Sequence, residues 1–187
     1  MERLHAYAVL LARWTQRINL VSSADRDVIW TRHVQDSLRL LTLIPPGTQR
    51  AIDLGSGAGL PGLVLAIASG VRFELVESDR RKCAFLVEAA RLTAAPVGVH
   101  AARIEACGLV QASLITARAL APLPGLLELA APLLAPGGTL LAPKGARAGA
   151  EIDAARASWD FELEVADDPA HPVLVLRNPR MLVQAHG

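Results

Sequence analysis

Apolar positions recur at three- and four-residue intervals through the first twenty residues. Leu4, Tyr7, Ala8, Leu11, Trp14 and Ile18 fall on one stripe with arginines elsewhere on the surface, the pattern of an amphipathic helix. Ser22-Ser23-Ala24-Asp25 supplies cap residues, and 28–43 is expected to form a second helix that stops at Pro45-Pro46-Gly47. From Arg50 onward the pattern changes. Short apolar runs at 50–55, 72–77, 97–101, 113–117, 138–143, 160–166 and 173–178 read as strands. Helical stretches at 60–69, 79–93, 123–134 and 147–157, with a turn near 103–107, fall between them. Strands alternating with helices imply an α/β fold with a mostly parallel sheet covered on both faces. The last two runs are separated only by Asp167-Asp168-Pro169-Ala170-His171-Pro172, so they are expected to pair as an antiparallel hairpin. This divides the chain into a helical N-terminal extension, 1–49, and an α/β unit, 50–187.

Composition narrows the class. A chain of 187 residues with 52% hydrophobic content has ample material for one core. A formal charge of +1 excludes a polybasic coat but leaves room for local basic faces, such as Arg13 with Arg17 and Arg80-Arg81-Lys82. Cys83 and Cys107 form no CxxC and have no histidine at ligand spacing, so they read as reduced thiols rather than a disulfide or metal site. No apolar run approaches the ~20 residues of a membrane span, and a cytoplasmic protein is expected. Trp14, Trp30 and Trp159 read as core residues.

The chemistry centres on Ala51-Ile52-Asp53-Leu54-Gly55-Ser56-Gly57-Ala58-Gly59-Leu60-Pro61-Gly62. An apolar run ends in three alternate glycines and hands over to a helix, so the backbone can approach an anionic ligand closely. Read from Gly57 the letters satisfy GxGxxG and suggest a dinucleotide. Read from Gly55, the first glycine after the strand, they form GxGxG with Asp53 two residues upstream, a register that fits the strand boundary better. Glu77 closes the next strand 22 positions after Gly55 (77 minus 55), where a carboxylate accepts ribose hydroxyls. NAD and S-adenosylmethionine share that need.

Seven strands ending in a hairpin resemble the class I S-adenosylmethionine-dependent methyltransferase fold, Rossmann-like, here with a small helical extension in front. Asp53 to Gly59 resembles that fold's motif I, in which the loop wraps the methionine part of the cofactor. In such a fold Arg103-Ile104-Glu105 lies where the adenine wall forms, although spacing alone fits a plain amphipathic turn equally well. The segment after the fourth strand, Thr116-Ala117-Arg118-Ala119-Leu120-Ala121-Pro122, has neither the Asn-Pro-Pro-Tyr sequence that holds an exocyclic amine nor a Pro-Cys nucleophile.

Several pieces together resemble one family, the bacterial small-subunit ribosomal RNA guanine-N7 methyltransferases known as RsmG or GidB. Asn19-Leu20-Val21-Ser22 is similar to its "NLTS", Arg32-His33-Val34-Gln35-Asp36-Ser37-Leu38 to its "RHIxDSL", and Asp53 to Gly62 to its "DVGTGPGLPG". Arg118-Ala119 and Lys144-Gly145 are similar to its "SRA" and "LKG". Ala58 and Glu77 stand where the family often has Pro and Asp. The resemblance implies cofactor contacts at Asp53, Gly55, Gly57, Gly59 and Leu60, at Ile104 and Glu105, and at Arg118, with Glu77 on the ribose. It also implies that Asn19, Arg32, His33, Arg118 and Lys144 line the place where 16S ribosomal RNA meets the cofactor, in the small subunit or an assembly intermediate. Without it, His33 and Asp36 read as a helix-packing pair at i and i+3. Guanine N7 carries an in-plane lone pair and no proton, so the implied reaction needs alignment and no general base. A monomer without metal is expected. The competing readings are an NAD-linked oxidoreductase, which needs a proton donor beside the nicotinamide, and a binding protein without catalysis.

Overall fold

The computed structural model describes residues 1–166 and 171–182, apart from the side chains of residues 23, 26 and 27. One seven-stranded sheet runs through it in the order β3-β2-β1-β4-β5-β7-β6. The strands are β1 (Arg50–Leu54), β2 (Arg72–Glu77), β3 (Val97–Ala101), β4 (Ala112–Ala117), β5 (Leu134–Pro143), β6 (Trp159–Ala166) and β7 (Val173–Met181). The first five pair in parallel, and β7 pairs antiparallel with both β5 and β6. The expected hairpin therefore forms; its connecting residues 167–170 lie outside the described residues.

Alternation along the strands sorts side chains onto two apolar layers, since successive residues face opposite sides of a sheet. Ala51, Phe73, Leu75, Leu114 and Leu141 belong to one layer with α3 (Gly62–Ser69) and α4 (Arg80–Thr93). Ile52, Leu54, Val76, Ile115 and Leu140 belong to the other with α5 (Leu123–Ala130) and Ala155 of α6 (Ala148–Arg156). Both helices flanking β2 end or begin as their residues require: Gly70 takes the left-handed position after α3 (φ 76°), and Asp79 caps α4 by accepting from the Arg81 and Lys82 amides.

The N-terminal residues join the first layer. Helix α1 (Glu2–Thr15) buries Leu4, Tyr7, Leu10 and Leu11 among α3 and α4 side chains. Arg3 donates to the carbonyls of Thr93 and Ala94 at the far end of α4, and Trp14 Nε1 donates to Glu88 at 3.2 Å. Ile18 falls beyond the end of the helix. Trp159 is in the core as expected, whereas Trp14 and Trp30 are half-buried at its margin.

The continuous helix expected over 28–43 is broken. A 3-10 stretch (Ser23–Val28) leads into a widened π turn (Ile29–Val34), then α2 (Gln35–Leu38) and a second 3-10 stretch (Arg39–Leu43). A turn closed from i to i+5 brings residues five apart nearly over one another, so Ile29 and Val34 are both buried, with His33 beside them. The three- and four-residue spacing of a regular helix would not seat all three.

Candidate functional site

The carboxyl ends of β1, β2 and β4 meet at the glycine turn, where two cavities open side by side. The first, about 340 Å³, is lined by Gly55, Gly57, Glu77, Ile104 and Glu105, with Lys82 and Arg103 at its edge. The second, about 530 Å³, is lined by Asp36, Arg39, Pro61, Arg118, Lys144 and Glu151, among others. Ala119 and Leu120 line both, so this dipeptide is the partition between them.

The three glycines of the turn divide their duties. Gly55 (φ 64°) accepts the Leu120 side chain so closely that a Cβ there would lie 2.6 Å from Leu120 Cδ1. Gly57 turns its amide to Glu77 Oε2 at 2.9 Å. Gly59 (φ 84°) faces inward: a Cβ would meet Leu63 at 2.7 Å and Leu86 at 3.1 Å. Gly59 and the buried Leu60 pack the turn from its inner side and line neither cavity. The Leu60–Pro61 peptide is cis.

Asp53 is wholly buried beneath the turn and lines neither cavity. Its Oδ1 accepts from Thr116 Oγ1 at 2.5 Å, while its side chain lies against Gly62, where a Cβ would come within 2.5 Å of Asp53 Cβ. Burial pushes its pKa up to about 6, against the lowering by Thr116, Ser56 and the Gly62 amide. Its work is to tie β1, β4 and the turn together.

Glu77, at the end of β2, lines the first cavity. Its oxygens already accept from the Gly57 and Asp79 amides, which fixes the carboxylate while leaving each oxygen a further lone pair. Asp79, not Glu77, caps the helix. Ile104 and Glu105 sit on a 3-10 turn (Ile104–Ala106) that forms the opposite wall.

Arg118 is the first residue after β4 and lines the second cavity, not the first. Its Nη2 lies 3.3 Å from His33 Nδ1, and among the described residues no carboxylate is within 4.0 Å of it. Burial, then the opposing pull of Tyr7, Asp36, Asp53 and Asp25, leaves the guanidinium pKa somewhat lowered. His33 faces Asp25 at 3.5 Å, and Asp36 turns instead to Arg39 at 3.4 Å, so the i, i+3 packing pair is absent. Lys144 does not present a free ammonium: its Nζ donates to Ala121 O at 2.9 Å and Glu151 Oε2 at 2.7 Å. Glu151 Oε2 also accepts from the Leu123 amide at 3.0 Å. The pair pins the 118–122 loop at its far end. Arg32 is exposed and paired with Asp25 at 3.2 Å. Asn19 is exposed and lies in a recess with Arg17, Arg81 and Lys82, the last of which also edges the first cavity.

Two functional side chains escaped the sequence reading. Tyr7 donates to Ala58 O at 2.7 Å, holding the glycine turn from the N-terminal helix; the helical stripe signals that it is buried, but nothing local signals its partner. Glu151 has no motif around it. Leu120, between the cavities, was legible only as part of a loop.

A parallel sheet with an antiparallel final hairpin, bearing a glycine turn after β1 and an acid at the end of β2, is the class I methyltransferase fold. Solved structures agree. The chain superposes on ribosomal protein L11 methylase from Lactobacillus delbrueckii subsp. bulgaricus with a TM-score of 0.62 at 18% identity, covering 78% of this chain and 77% of that one. It superposes on the O-methyltransferase TomG from Streptomyces achromogenes with a TM-score of 0.58 at 14% identity, covering 94% and 88%. Within that class the sequence is specific: residues 1–170 match the family model GidB, rRNA small subunit methyltransferase G. The chain is 51% identical over 164 residues to the ribosomal RNA small subunit methyltransferase G of Rhodospirillum centenum, covering 88% of this chain and 76% of its relative. It belongs to the GidB family.

Proposed function

We propose that this protein transfers the methyl group of S-adenosylmethionine to N7 of a guanine in 16S ribosomal RNA, acting as a cytoplasmic monomer on the small subunit or an intermediate of its assembly. The observation that carries this is the pair of cavities meeting at Ala119–Leu120. The first fits the cofactor: Gly55 and Gly57 offer backbone without side chains, Glu77 is held ready for a ribose diol, and Ile104 offers an apolar wall for a base. Bound there, S-adenosylmethionine supplies an electrophilic sulfonium methyl. The second cavity has the donors for a nucleotide. Arg118 presents N–H groups suited to guanine O6 or a phosphate oxygen.

No side chain has to take a proton from guanine N7. The carboxylates of the second cavity are engaged elsewhere, Asp36 with Arg39 and Glu151 with Lys144 and Leu123. Alignment is the work left to the protein. Arg17, Arg81 and Lys82, gathered with Asn19 beside the first cavity, supply charge for the RNA backbone. The oxidoreductase reading needs a proton donor at the nicotinamide; the sole tyrosine, Tyr7, is buried and committed to Ala58.

The test is methyl transfer from labelled S-adenosylmethionine to small subunits from cells lacking this gene, followed by mapping of the modified base. Incorporation at a guanine N7 is expected, with Arg118→Ala lowering kcat about 100-fold, the scale of losing a donor aimed at a reacting group. Label on another atom, or none on any ribosomal RNA, would overturn the proposal.

A further inference from the structure

We infer that His33 is a positioning residue: its neutral ring, protonated on Nε2, accepts from Arg118 through Nδ1 and so holds the guanidinium in the target cleft without cancelling its charge. This rests on the proposed function, in which Arg118 faces the target nucleotide. A guanidinium has only donors. At 3.3 Å from Arg118 Nη2, His33 Nδ1 must therefore offer its lone pair, which puts the ring proton on Nε2. That nitrogen points toward Asp25 Oδ2 at 3.5 Å, too long for a good hydrogen bond but on the side where a carboxylate favours an N–H. Asp25 is itself anchored, accepting from Ser22 Oγ at 2.6 Å and paired with Arg32 Nε at 3.2 Å.

The choice of partner matters. A carboxylate in place of His33 would bind Arg118 more tightly but would also satisfy its charge, leaving less for a phosphate or for guanine O6. A neutral acceptor fixes the direction of the guanidinium and leaves its field intact. The ring is held firmly enough to do this, since it is buried in the π turn and its own carbonyl accepts from Ser37 Oγ at 2.7 Å.

The arrangement survives only while His33 is uncharged. A second ring proton would turn Nδ1 into a donor facing a donor. Burial first, and Arg118 second, hold the His33 pKa below its ordinary value; Arg32 adds to this, and Asp25 and Asp36 oppose it. Behind Arg118 stand Tyr7 and Asp53. Methyl transfer should therefore lose an acid limb when His33 is replaced by a residue that accepts but does not titrate.

The experiment uses the full chain with small subunits as substrate and follows kcat, the KM for cofactor and the pH profile for wild type, His33→Asn, His33→Ala and His33→Asp. Asparagine Oδ1 reaches the place of Nδ1 and should restore most of what alanine loses. Alanine should lower kcat about tenfold, the scale of one charge-assisted hydrogen bond, with the cofactor KM unchanged. Aspartate, despite its stronger contact, should lower kcat at least as far as alanine. The acid limb present in wild type should be weaker in His33→Asn; Asp53, whose pKa is pushed up to about 6, is common to both proteins, so the comparison of the two profiles isolates His33. Nitrogen-15 spectra of the imidazole should show the Nε2–H tautomer, and Arg118→Met should raise the His33 pKa. An Nδ1–H tautomer, or alanine and asparagine variants that are equally impaired, overturns the inference. If Arg118→Ala abolishes transfer while His33→Ala keeps full activity, the inference fails and the proposed function stands. If Arg118→Ala is itself fully active, the reading of the cleft fails first and the inference with it.

Discussion

Asp53→Asn should change how stability depends on pH, and by a predictable amount. The native carboxyl is wholly buried and titrates at about 6, whereas its ordinary value is 3.8. Between these values the folded protein keeps a proton that the unfolded chain has released. Linkage then gives the sign: stability from this group is fully present below pH 3.8 and is lost as pH rises through about 6. The slope approaches about 1.4 kcal/mol per pH unit, so the loss across the whole window is about 3 kcal/mol. For a domain of this size that corresponds to roughly 6–12 °C in Tm.

Asparagine cannot titrate, so the difference in unfolding free energy between wild type and Asp53→Asn isolates the effect. A constant offset is expected as well, because the amide would turn a donor toward the Gly62 backbone while still accepting from Thr116. That offset does not depend on pH. Urea unfolding at intervals from pH 3.5 to 7.5 should show wild type losing about 3 kcal/mol relative to the variant as pH rises. A difference that stays flat, or that moves in wild type's favour with rising pH, would refute the assignment of Asp53 as a desolvated strut under the turn.

Two further substitutions test the supports of the site. Tyr7→Phe leaves Ala58 O without its donor and should cost about 1–2 kcal/mol by urea unfolding, with weaker S-adenosylmethionine binding by calorimetry because the glycine turn is loosened. Unchanged stability would show that the contact contributes nothing. Lys144→Met frees Ala121 O and one side of Glu151; kcat for methyl transfer should fall about tenfold while cofactor affinity holds, since the first cavity is untouched. An equal loss of cofactor affinity would place the damage in the fold rather than in the loop.

The seven strands and their helices were legible because alternating and three-to-four-residue periods are local properties. Boundaries moved by a few residues, most where α5 ends at Ala130 rather than 134 and β5 begins at Leu134 rather than 138. What local pattern could not show was which face of a motif is packed and which is open. Asp53, Gly59 and Leu60 belong to one glycine motif with Gly55 and Gly57, yet Leu63 and Leu86 of two different helices decide that Gly59 points inward. Lys144 sits in a motif that invites a ligand-binding role, but its ammonium is committed to Glu151, one α6 residue with no distinguishing neighbours. The 28–43 segment looked like an ordinary helix because its apolar spacing is nearly right. Ile29 and Val34, five residues apart, are both buried in a π turn that also carries His33, 3.3 Å from Arg118.

These supports converge on one short loop. Residues 118–122 are gripped at Arg118 by His33 from the N-terminal segment, at Leu120 by the bare backbone of Gly55, and at Ala121 by Lys144 from the end of β5. Ala119, in the middle, holds a left-handed φ of 52°, a conformation that costs a residue with a Cβ roughly 1–2 kcal/mol. A loop with fewer anchors would relax out of it. Held there, Ala119 and Leu120 stand between the two cavities, with Leu120 against Gly55 of the glycine turn and Arg118, two residues earlier, facing His33. The N-terminal helices are for this reason part of the site: Tyr7 sets one side of the partition through Ala58, and His33 sets the other through Arg118.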